Sequence, residues 1–181
     1  MSTMTVLRTA VAVTAAFSLA GLACGTALAA DAGQARPSAA SAACQPGTLK
    51  ATTTDLDTRQ AEMNHAGTYL KVTNTGDTTC AISGYAGLAL ETAGHGSATT
   101  RVKHGDTYFA QDPGERSVTL EAGDSAYADL VWTHTGADEV HAGYLQISPT
   151  GGNAHSTVAF EQDVDNGDLS LTAWEDTAFT A

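Results

Sequence analysis

Residues 67–90, GTYLKVTNTGDTTCAISGYAGLAL, decide the fold. In Tyr69-Leu70-Lys71-Val72-Thr73, Leu70 and Val72 fall on one face and Tyr69, Lys71 and Thr73 on the other. A period of two in β-branched and aromatic residues is that of a strand with one buried face. Asn74-Thr75-Gly76-Asp77 then carries turn chemistry, because Asn and Gly accept the positive φ that other residues resist. Cys80-Ala81-Ile82 begins a second strand. Gly84 and Gly87 bracket Tyr85 as a corner before a third strand at Leu88-Ala89-Leu90.

The flanking sequence repeats this pattern. Residues 48–56 form a threonine-heavy first strand, and residues 59–67 carry no strand period and read as a loop. Residues 93–116 are glycine-rich, with one short strand at 100–102 inside a long loop. Strands follow at 118–120, 126–133, 144–148, 156–160 and 168–173, and Asn166-Gly167 is the dipeptide of a tight hairpin. About eight or nine short strands, with turn signals between them and no long amphipathic helix, predict an all-β, antiparallel, immunoglobulin-like sandwich. The apolar sides of the alternating runs predict one core of Leu70, Val72, Ile82, Leu88, Leu130, Trp132, Leu145, Ile147, Val158 and Leu171.

Two blocks carry a family resemblance. Asn74-Thr75-Gly76 followed by Thr79-Cys80-Ala81-Ile82-Ser83-Gly84-Tyr85 resembles the signature of an actinobacterial secreted family, domain of unknown function 4232. Leu120-Glu121-Ala122-Gly123-Asp124-Ser125-Ala126, leading into Ala128-Asp129-Leu130-Val131-Trp132, agrees with it. The likeness runs from roughly Cys44 to the C-terminus, nearly all of the expected mature chain. Ala86 and Ala122 stand where members of that family usually have proline, which loosens two corners without changing the fold. The resemblance implies an exported β-sandwich and no established activity.

Residues 1–29 hold no acidic residue, an apolar run from Ala10 to Ala23, and Ala27-Leu28-Ala29 at the end, the layout of a secretory signal peptide. Residues 30–43 are an Ala/Ser/Pro-rich flexible linker, and residues 44–181 are the sandwich domain. The expected location is extracellular. Lipid anchoring at Cys24 is the alternative, although Leu22 stands two positions before that cysteine where lipoprotein processing normally has leucine three before. No later run is long enough to span a bilayer, so stable membrane insertion is not expected. With Cys24 removed, Cys44 and Cys80 remain and are expected to pair in an oxidising compartment.

The chain has 20 acidic and 8 basic residues, a net charge of −12. Its Lys and Arg are isolated, which argues against nucleic acid as a partner. Six histidines, His65, His95, His104, His134, His141 and His155, show no metal-ligand spacing, and the expectation is no metal and no cofactor. Distant loops could still assemble a site in which Asp106, Asp112, Asp138 or Glu139 supply oxygen ligands. The run from Asp163 to Asp168 fails the calcium-loop register at Gly167 and Trp174. No Gly-x-Ser-x-Gly elbow or free cysteine marks a nucleophile. The sequence therefore reads as a secreted, non-catalytic module that binds an unidentified extracellular partner through loops 93–116 and 133–143. The candidate surface carries His95, His104, Asp106, His134 and His141. The alternative is metal or small-ligand binding by those same histidines and carboxylates.

Overall fold

In the computed structural model, which describes residues 41–54, 60–136 and 138–178, the alternating stretches have become strands. In chain order these are β1 (Leu49–Thr54), β2 (Ala61–Glu62), β3 (His65–Asn74), β4 (Cys80–Ile82), β5 (Gly87–Glu91) and β6 (Arg101–His104). They continue as β7 (Val118–Leu120), β8 (Ser125–Thr133), β9 (Glu139–Ser148), β10 (Ser156–Asp165) and β11 (Asp168–Leu171). The large sheet runs β1-β3-β8-β11-β6, with β2 paired to the start of β3. A three-stranded sheet, β10-β9-β5, and a two-stranded one, β4-β7, complete a sandwich-like all-β arrangement. The signal peptide, Cys24 and most of the linker fall outside the described residues.

Side chains from all three sheets meet in one core. Leu70, Val72, Ile82, Leu130, Trp132, Leu145, Ile147 and Leu171 are buried there as the alternation predicts, and Leu88 and Val158 pack half-buried against it. β8 shows why: Ala126, Ala128, Leu130 and Trp132 share one face and are all buried. Cys44 and Cys80 belong to the same cluster and form the expected disulfide, with Cα atoms 4.8 Å apart. Ala42 and Ala43 run alongside Cys80 and Ala81, and the Cys44 amide donates to the Ala81 carbonyl at 2.9 Å.

Several local expectations are corrected. The described residues hold eleven strands against about eight or nine expected, and residues 59–67, expected to be a loop, contain β2 and the first three residues of β3. β9 begins at Glu139, so the supposed 133–143 loop is largely strand. The Asn166-Gly167 turn is tight, with φ of 54° and 71°, yet it makes no hairpin. β10 pairs with β9 in the small sheet, whereas β11 enters the large sheet between β8 and β6. The reason is contact on the far side of the turn: the Arg101 amide donates to the Gly167 carbonyl at 2.8 Å, and a Cβ on Gly167 would stand 2.1 Å from the Thr99 oxygen. β11 thus runs parallel to β6, the one parallel pair among the described ladders.

Asn74 also acts otherwise than its turn propensity suggests. It has no positive φ. Its buried side-chain amide donates to the carbonyls of Thr78 at 2.9 Å and of Leu120 and Glu121 at 3.2 Å, while its oxygen accepts from the Gly76 amide at 3.0 Å. One side chain therefore closes its own turn and ties it to the β7–β8 turn. Its buried amide is thereby fully paired with backbone groups of two turns.

Candidate functional site

The outer face of the large sheet is where the sequence reading was most incomplete. Tyr69, expected to face solvent, is 2% exposed, and its cross-strand neighbour Asp129 is fully buried. The cover comes from two segments distant in sequence. Gln60 Nε2 donates to Asp129 Oδ1 at 2.6 Å, the Thr107 hydroxyl donates to Oδ2, and the Asp129 amide donates to Thr172 Oγ1 at 2.8 Å. Burial raises the Asp129 pKa, because taking a carboxylate out of water disfavours its charged form. The Thr107 and Gln60 hydrogen bonds oppose that rise. The Tyr69 phenol is raised as well, by its own burial first and by the Asp129 charge second.

The segment over this face is strapped down further along. Asp112 accepts from the Tyr85 hydroxyl at 2.7 Å with one oxygen and from the Ala173 amide at 2.8 Å with the other. The Tyr85 pKa is pushed up to about 12, chiefly by that hydrogen bond. Asp106 accepts from the Asp112 amide at 2.7 Å, and Arg116 reaches Glu175 at 3.1 Å. The expected long open loop is a tethered strap, because its short polar side chains find carboxylate and amide partners in the sheet beneath.

Where the strap meets the sheet it leaves a shallow basin of about 310 Å³, bordered by His65, Lys103, Asp106, Tyr108, Thr133 and Ser170. The His65 ring stacks on Tyr108, centroids 3.9 Å apart and planes 13° from parallel, and Phe109 meets Tyr108 edge-on at 5.0 Å. Among the described residues His65 Nδ1 is buried without a partner. Tyr108 remains 47% exposed, and Met63, two residues before His65, is 88% exposed. Sequence reasoning passed over Tyr108. The available signal was Tyr108-Phe109, the chain's only adjacent aromatic pair, standing in an otherwise glycine-rich and polar stretch.

The five candidate surface residues do not converge. Only Asp106 lines this basin. His104 ends β6 and stacks on Tyr85 with centroids 4.3 Å apart. His95 stacks on Tyr144 at 4.1 Å and its Nδ1 meets Glu91 Oε2 at 2.8 Å, and with a second bond from Gln146 this holds the Glu91 carboxyl below its ordinary range. His141 lies on β9 rather than in a loop and pairs with Asp163 at 2.7 Å. His134 follows β8, its amide bonded to the Asn64 carbonyl at 3.2 Å. Among the described residues no three His, Cys, Asp or Glu side chains gather where they could hold a metal ion. No helix among them is long and apolar enough to cross a membrane.

No curated protein and no solved structure matches the chain. A family profile described as a domain of unknown function, DUF4232, matches residues 44–175, from the first cysteine of the disulfide to the residue that pairs with Tyr127 beyond β11. The chain therefore belongs to the DUF4232 family.

Proposed function

We propose that this domain is an extracellular, non-catalytic binding module that engages a protein partner through the basin end of the large sheet, with Tyr108 as the anchor. The observation that carries the reading is the Tyr108–His65 stack: a large aromatic side chain held rigid by a ring beneath it yet left half exposed. Tyrosine in that setting offers wide amphipathic area at small entropic cost, which is why it is enriched where interfaces are strongest. Met63 extends the patch with a side chain that adapts its shape to a partner. The strap supports the reading because contact loops work best on a fixed scaffold. The disulfide suits an oxidising compartment.

Tagged wild-type protein and Tyr108→Ser would be compared as baits against culture supernatant and cell-surface extract, with melting temperatures measured in parallel. A species held by the wild type and lost from Tyr108→Ser, at equal melting temperature, is the expected result. Equal retention by both baits, or a hydrolase activity abolished by replacing one histidine, overturns the proposal.

A further inference from the structure

Under the strap, two side chains from distant segments meet on one carboxylate. Gln60 stands 69 residues before Asp129 and Thr107 stands 22 before it, and each hydrogen-bonds one of its oxygens. The setting is dry: Asp129 is fully buried, and Tyr69 and Gln60 beside it are 2% and 9% exposed. Gln60 is held at both ends. The Gly67 amide donates to its backbone carbonyl at 2.9 Å, and the missing side chain of Gly67 leaves the space that its Oε1 occupies. Thr107 is held as firmly, because its Oγ1 accepts from the amides of Phe109 at 3.3 Å and Ala110 at 3.0 Å while donating to Asp129 Oδ2.

A hydroxyl, an acyl group and a proton carrier thus share one contact. A primary amide and an alcohol seldom react, because the hydroxyl keeps its proton and the leaving nitrogen lacks one. Here Asp129 Oδ2 faces the proton that must leave, and Oδ1 lies 2.6 Å from the nitrogen that must receive it. Burial raises the Asp129 pKa, which suits the carboxylate to accept that proton. The two amides on Thr107 Oγ1 stabilise the negative charge that grows there. The Tyr69 phenol, which hydrogen-bonds with the Gln60 side chain, stands beside the carbonyl where charge collects next. Exclusion of water removes the competing hydrolysis. Reaction requires Thr107 Oγ1 to approach Gln60 Cδ within about 3–3.5 Å, a movement served by the soft terminal torsion of glutamine.

We propose that Thr107 and Gln60 join as an intramolecular ester, with Asp129 carrying the proton between them. Thr107 Oγ1 bonds to Gln60 Cδ as its proton passes to Asp129. The Cδ–Nε2 bond then breaks, Asp129 gives the proton to the nitrogen, and ammonia departs, leaving the carboxylate as it began. The hydrogen-bonded arrangement is the reactant, and the bond forms after folding has brought the three residues together. Its product is a strap fastened covalently to the sheet, by a link that reducing agents leave intact, unlike the disulfide. The cross-link and the Tyr108 surface stand or fall separately.

Protein recovered from culture supernatant would be aged for days at neutral pH and weighed intact. It would then be reduced, denatured and digested with trypsin, which cleaves after Arg59, Lys71, Lys103 and Arg116. The expected result is a mass lighter by one ammonia and a joined fragment made of residues 60–71 and 104–116. Hydroxylamine should split that fragment, since it cleaves an ester and spares the peptide bonds present there. Thr107→Val and Asp129→Asn, each checked for fold by its melting transition, should yield the two fragments separately. Separate fragments from the aged wild type, a missing ammonia without a joined fragment, or a joined fragment that resists hydroxylamine overturns the proposal. So does a link in either variant.

Discussion

The two faces of β8 are both closed to water, by different means. Inward, Ala126, Ala128, Leu130 and Trp132 pack into a core of aliphatic and aromatic side chains. Outward, Asp129 and Val131 are buried as well, and Asp129 is held by directed hydrogen bonds from Gln60 and from Thr107 of the strap. Inner closure is non-directional and scales with area and volume, so it tolerates exchange among apolar residues of similar size. Outer closure depends on specific atoms, and losing one donor strands a buried charge. A single strand therefore carries a robust face and a fragile one.

The largest contrast should come from Leu130→Ala, which opens a cavity at the centre of the inner face. Urea denaturation should register a loss of about 2–5 kcal/mol. A change under about half a kcal/mol would mean that Leu130 does not face the core. Reduction of the disulfide comes next and also belongs to the inner side, because Cys44 and Cys80 sit in the core cluster with a sequence separation of 36. A cross-link closing a loop of that size should stabilise by about 3–4 kcal/mol. Denatured, unreduced protein should show neither of these two thiols free, and dithiothreitol should lower the melting temperature.

The outer face is tested by Thr107→Val, which removes a donor from the buried carboxylate and should cost about 1–3 kcal/mol near neutral pH. That cost should shrink on acidification, as Asp129 takes up its proton. Asp129 also gives the wild type a pH dependence of definite sign. Its raised native pKa means that the folded state holds the proton more tightly than the unfolded chain. The corresponding stability is complete below the ordinary aspartate range and is lost as pH rises through the native value. Asp165 runs the other way: the Thr133 hydroxyl, then the Gly136 and Thr135 amides, hold its pKa down. Its contribution is present above the ordinary range and is lost as pH falls through the lowered value. Urea midpoints collected across that span should lose their falling component in Asp129→Asn and keep the acid-side loss; an unchanged profile would show that Asp129 titrates normally. The smallest effect belongs to Tyr108→Ser, expected to shift stability by less than about 1 kcal/mol, since half of the ring already faces water.

The inner face was legible because period-two alternation is written locally: Leu70 and Val72, or Leu130 and Trp132, announce their side within five or six residues. The cysteine pair was legible from chemistry and count. Tyr69 was assigned to solvent because nothing near it in sequence reveals that Thr107 and Gln60 close over the same face. The 133–143 segment hid the start of β9 because Glu139-Val140-His141 lies at an exposed sheet end, where residue choice is set by solvent rather than by a core. Of the candidate surface, Asp106 alone lines the basin, and the histidines were grouped by type. His95, His104 and His141 each sit on their own ring or carboxylate, a matter of three-dimensional neighbours that spacing does not encode.

The insertion of β11 between β8 and β6 has a consequence in time. Arg101 and its partner Asp168 are 67 residues apart, so the far side of the large sheet has no centre until β11 has been made. Until then β8 is laddered on one side only, to β3, and presents a row of unsatisfied amides and carbonyls to any other extended chain. Contacts of such long range make assembly slow and late relative to synthesis. For this domain the interval before β11 pairs is the period of greatest exposure to intermolecular pairing.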